Sequence, residues 1–137
     1  LALFPNNSDA KGKLSDSERE LARIEKENAE RLALNNKFDG LMKDAENEVL
    51  NQQYDLAIKK LEEASTLKPN DQQPKQRVRD LKRTLEQIAQ VENEKQAKER
   101  KYVLLMQDGR TALTAKNLDK AKGSFQEAAN LKPEENE

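Results

Sequence analysis

Apolar residues recur at helical spacing in two matched pairs of runs. Phe38, Leu41, Met42, Ala45 and Val49 share one face of a helix, and a polar break follows at Asn51-Gln52-Gln53. Tyr54, Ala57, Ile58, Leu61, Ala64 and Leu67 then form a second apolar face that ends at Pro69. The same design returns as Tyr102, Leu105, Met106, Gly109 and Leu113, followed by Leu118, Ala121, Phe125, Ala128, Leu131 and Pro133. Each pair predicts a long helix turning back into a short antiparallel one.

The stretch ahead of each pair predicts how far the long helix extends. Pro74 suits a first helical turn, and Val78, Leu81, Leu85, Ile88 and Val91 give the following turns one apolar face. Glu92 to Lys101 has no large apolar residue, but it also has no Gly or Pro. Glu94 with Lys98 and Lys95 with Glu99 set opposite charges four apart, a spacing that steadies a helix. One helix from about Pro74 to Lys116 is therefore expected, roughly 60 Å long at about 1.5 Å per residue. Upstream, Leu14, Leu21 and Ile24 open an equivalent face before the polar middle Glu25 to Arg31, with Ser8 or Asp9 as the cap and Gly12 weakening the first turns. The competing reading makes the polar middles flexible linkers, or turns the helix near Asn35-Asn36 and Glu99 to Lys101.

Both halves align at a constant offset of sixty-four residues, so that residues 1–73 return as residues 65–137 without a gap. A long period marks stacked units that cannot bury their apolar faces alone. The expected organisation is residues 1–37 as the end of one repeat plus a long helix, 38–71 as a helical hairpin, 72–101 as a charged connecting helix, and 102–137 as a second hairpin. With no initiator Met, and with a last residue just past the turn at Pro133, the chain is expected to be a slice of a longer array that self-associates through its cut repeat ends.

The hairpins resemble tetratricopeptide repeats over residues 38–71 and 102–135. Ala45 and Gly109 occupy the small position midway along the first helix, Ala57, Ala64, Ala121 and Ala128 the small positions of the second, and Leu61 and Phe125 the bulky position between them. Pro69 and Pro133 stand at the helix-stopping proline. Leu41 and Leu105 depart from the family's large aromatic, and the sixty-four-residue spacing departs from its usual period of about thirty-four. The resemblance implies an all-α, elongated helical repeat of tetratricopeptide-like pairs joined by long charged helices. It also implies a groove for extended peptides or partner helices, with Met42, Glu46, Val49, Leu50, Met106, Arg110, Leu113 and Thr114 facing it. Burial against neighbouring helices is the alternative use of Met42, Val49, Met106 and Leu113. Similar Lys- and Glu-rich arrays occur in bacterial proteins, some in the envelope, so cytoplasm and periplasm both stay open.

Composition agrees with helices around a thin core. Charged residues are 37% and apolar residues 34%, with three Phe, two Tyr and no Trp, too few for a thick globular interior. Low hydrophobicity can also mean disorder, but the net charge is only −1 and the apolar positions keep phase. Lys plus Arg, 25, balances Asp plus Glu, 26, with signs interspersed, which leaves no basic stripe for nucleic acid and no basic face for a membrane surface.

The chemistry narrows accordingly. Without Cys or His the chain lacks thiolates and the commonest general base, and Ser8, Ser15, Ser17, Ser65 and Ser124 have no imidazole partner. Asp44, Glu46 and Glu48 read as a solvated helix face, and neither Asp119 nor the terminal glutamates show calcium-loop spacing. No enzyme activity and no cofactor are expected. Protein or peptide binding is the leading expectation; a structural spacer or self-assembling helical array is the alternative. Val78, Leu81, Leu85 and Ile88 keep heptad phase with Tyr102, Met106, Gly109 and Leu113, although Glu92, Lys95 and Glu99 interrupt the seam.

Overall fold

The computed structural model describes residues 7–132, and its class is all-α. Among the described residues four helices follow in order: α1 (Asn7–Leu50), α2 (Tyr54–Leu67), α3 (Gln73–Thr114) and α4 (Leu118–Leu131). The chain divides into two compact units, Leu1–Leu81 and Lys82–Glu137, and the division falls inside α3. The expected connecting segment 72–101 is therefore shared, its first turns belonging to the first unit.

Both long helices are unbroken. α3 passes through Glu92 to Lys101 as helix, and α1 passes through Asn35-Asn36 in the same way, so the linker and turning alternatives do not apply. α3 stops at Thr114, two residues short of the expected end, because the chain turns at Lys116. The steadying bonds also differ from expectation. Glu94 accepts from Gln90 at 3.1 Å, and Glu99 reaches across to Lys132 of the same unit at 2.7 Å, since the end of α4 brings a cation within its range. In α1, Arg23 bridges Glu20 and Glu27, Lys13 meets Asp9 at 3.3 Å and Arg19 meets Asp16 at 3.3 Å. Ser8 and Asp9 sit inside the first turn of α1 instead of capping it, and the cap lies outside the described residues, as do Pro133 and the terminal glutamates.

The two turns are built bond for bond alike. After α1, Gln52 takes a left-handed φ of 59°, its N–H donates to the Val49 carbonyl at 3.0 Å, and the Gln53 N–H donates to the Glu48 carbonyl at 2.8 Å. After α3, Lys116 has φ 59°, with Lys116 to Leu113 at 3.0 Å and Asn117 to Ala112 at 2.9 Å. Paired bonds of this kind satisfy carbonyls that a helix end leaves open. Asn117 adds a cap by accepting from the Lys120 N–H at 3.2 Å, whereas Gln53 makes no side-chain cap bond.

In the first unit α1 packs along α2, with Phe38, Leu41, Ala45, Ala57, Ile58, Leu61 and Ala64 buried. Ala64 has no exposed surface, as expected where two helix backbones approach closely. Lys68 lies over the Phe38 ring at 4.2 Å from its centre, and Lys37 pairs with Glu63 at 3.4 Å. The link to α3 is fixed by Asp71, whose carboxylate accepts from the Gln73 N–H at 2.9 Å, and by Pro74, which is buried in the first turn.

The second unit repeats these relations with other side chains. Gly109, Ala112, Ala121 and Ala128 are buried, and the Phe125 ring lies against Gly109. Lys132 sits over the Tyr102 ring at 4.5 Å, as Lys68 sits over Phe38.

Candidate interaction surfaces

Three helices of the first unit enclose a groove of about 460 Å³. α1 contributes Ala45, Glu46, Val49 and Leu50, α2 contributes Leu61, and the start of α3 contributes Arg77, Asp80 and Leu81. Ala45 with Val49, and Glu46 with Leu50, lie four residues apart on α1, close to one helical turn, so two neighbouring rows of the helix line the groove. The small and branched side chains of Ala45, Val49 and Leu50 leave the groove open while its walls stay apolar. At the rim, Arg77 Nη1 donates to Glu46 Oε1 at 2.8 Å. Leu50 is 80% exposed, an apolar side chain held at the groove with little covering it.

Of the residues the sequence placed in a groove, Glu46, Val49 and Leu50 come together here. Met42 lies elsewhere, half-buried against the Phe38, Leu41 and Ala64 cluster beside Leu67. In the second unit, Met106 and Arg110 line a shallow depression on α3 with Tyr102, Val103, Gln107 and Thr111. Leu113 is exposed, and the Thr114 hydroxyl donates to the Arg110 carbonyl at 3.0 Å. Sequence reasoning missed Arg77, Asp80 and Leu81 as groove residues. No sequence signal pairs Arg77 with Glu46, because the two meet only once the start of α3 lies against α1.

Electrostatically these surfaces are mild. Arg23 holds the Glu20 carboxyl below its usual range by hydrogen bonding, and Glu20 raises the Arg23 guanidinium in return; both lie on solvent-exposed α1, away from the groove. Among the described residues no cluster of three metal-ligating side chains occurs, no buried side-chain polar atom lacks a hydrogen bond, and no helix is long and apolar enough to cross a membrane. Compared with family models, curated proteins and solved structures, the chain has no match.

Proposed function

We propose that the chain is a non-catalytic protein-interaction scaffold of tetratricopeptide-like type, whose ligand is an extended peptide or a partner helix. The observation that carries this reading is the apolar groove of the first unit, with Val49, Leu50 and Leu81 at its walls and the Glu46–Arg77 pair at its rim. Apolar walls supply most of the affinity in such a groove, and the rim charges orient what enters. Buried Ala45, Ala57 and Ala64 support the tetratricopeptide assignment, because they stand where that family needs small side chains.

A direct test is selection of a displayed peptide library on the immobilised chain, followed by amide chemical-shift mapping of the enriched peptide. Binding should perturb Val49, Leu50 and Leu81, and Val49→Asp should abolish it while leaving helicity intact. Failure to enrich any peptide, or binding indifferent to Val49→Asp, would reject the groove as a ligand site.

A spacer role is the second reading, and one observation favours it. From Asn7 to Leu34 every residue of α1 except Ser15 is exposed, and the charged side chains pair along the helix itself. Such a helix holds its length without a partner. Scaffold and spacer are compatible if the long helices set the distance between binding units.

A further inference from the structure

The first unit shows how a third helix docks onto a hairpin of this chain. Pro74 is buried, Arg77 meets Glu46 at 2.8 Å, and Leu81 lines the groove beside Val49 and Leu61. Adding the sixty-four-residue offset converts the receiving positions Glu46, Val49 and Leu61 into Arg110, Leu113 and Phe125. In the second unit, among the described residues, no helix covers that face, and Leu113 is 49% exposed where Val49 is half-buried. The apolar character is kept, but the charged position has changed sign.

That reversal discriminates between occupants. Two segments of this chain are in register with the docking turns: residues 74–81 themselves, and residues 10–17, where Lys13 stands at the place of Arg77 and Leu14 at that of Val78. Either would bring a cation against Arg110, a like-charge contact that weakens the complex. We propose that the Arg110–Leu113–Phe125 face receives an amphipathic helix of a partner protein. This helix carries a proline in its first turn, an Asp or Glu three residues later in the place of Arg77, and apolar residues at the places of Val78 and Leu81. The proposal rests on the scaffold reading, but it concerns the second unit alone and names the chemistry of the ligand.

The probe is a pair of fluorescein-labelled peptides spanning residues 70–91, one native and one with Arg77→Glu, titrated into the whole chain at low ionic strength and followed by anisotropy. The Arg77→Glu peptide should bind about two- to fivefold more tightly than the native one, a difference typical of exchanging an exposed repulsive contact for an attractive one. Raising the salt should shrink the difference, because the pair is solvent-accessible. Arg110→Glu in the protein should invert the order, with circular dichroism showing unchanged helicity. In the first unit Glu46 repels the acidic peptide and the first turns of α3 already lie beside Val49 and Leu61, so the preference for the acidic peptide should depend on Arg110 alone. Loss of binding in Val49→Asp alone would place the peptide in the first unit's groove and overturn the proposal without harming the scaffold reading. Equal affinities, an order indifferent to Arg110→Glu, or no binding of either peptide would overturn it. A preference for the native peptide would overturn it in favour of a second copy of this chain.

Discussion

The two hairpins solve one packing problem with different pairs of residues. Where α1 meets α2, Ala45 faces Leu61 across positions that in the second unit are held by Gly109 and Phe125. Removing a methyl group from one helix makes room for a ring on the other, so the sum of volumes is roughly maintained while its division shifts. The surroundings differ as well. Leu61 is 1% exposed beneath the first turns of α3, whereas Phe125 is only half-buried. The lesson is that a shared backbone plan tolerates side-chain exchange in compensating pairs, and that burial at a position depends on the next helix as well as on the residue.

The largest expected effect comes from filling the closest helix approach. Ala64→Leu and Ala128→Leu should each destabilise by about 1–3 kcal/mol through overpacking. Ala64 should cost more, since its neighbours Phe38 and Leu41 are buried while their counterparts Tyr102 and Leu105 are half-buried. Chemical denaturation of each variant measures this, and equal, negligible changes would remove the claim that these alanines mark the helix crossing.

A sharper test exchanges the compensating pair. A Cβ at Gly109 would lie 2.6 Å from Phe125 Cε1 and 2.7 Å from Cζ, so Gly109→Ala should destabilise by about 1 kcal/mol net, the clash outweighing the gain in helix propensity. With Phe125→Leu already present, the same substitution recreates the Ala–Leu pairing of the first unit and should instead stabilise by roughly 0.5–1 kcal/mol. A double-mutant cycle reads the sign change, and its absence would mean that the two positions are not coupled.

The turns should respond alike in both units. Gln52 and Lys116 each hold a left-handed φ of 59° without being glycine. Gln52→Gly and Lys116→Gly should each stabilise by about 0.5–1 kcal/mol, relief of backbone strain exceeding the added freedom of the unfolded chain. Thermal unfolding of the two variants should show upward shifts of similar size.

The smallest effect concerns acid. Arg23 depresses the Glu20 pKa, so the stabilisation is present above the carboxyl's unfolded value and is lost as pH falls through the lower, folded value. Helicity of the N-terminal half of α1 should therefore fall slightly on acidification below the ordinary glutamate range. Glu20→Gln should remove that part of the pH dependence in a circular dichroism titration.

Helix positions were legible because period and propensity agree over long stretches. The break at residues 51–53, the start of α3 beside Pro74 and the continuity through residues 92–101 all follow from local sequence. The stop at Thr114 was less legible: Lys116 carries no glycine signal, and its left-handed conformation is held by bonds to Leu113 and Ala112. Part of the groove was readable for the same reason, since Glu46, Val49 and Leu50 share a helical face. Its third wall was not, because Arg77, Asp80 and Leu81 join it only through the docking of α3. Met42 illustrates the remaining ambiguity: an apolar residue on the inner face can pack inward or outward, and only its neighbours decide.

The unbroken path of α3 through a stretch dense in basic side chains gives the molecule a built-in gauge of local opening. Lys95, Lys98, Arg100 and Lys101 are exposed, so trypsin has side chains to recognise throughout the segment. Its cleft, however, accepts an extended backbone, and cleavage must wait until several helical hydrogen bonds have opened together. The order in which these bonds are cut would rank the turns of α3 by how readily each melts, from a single time course on the intact chain.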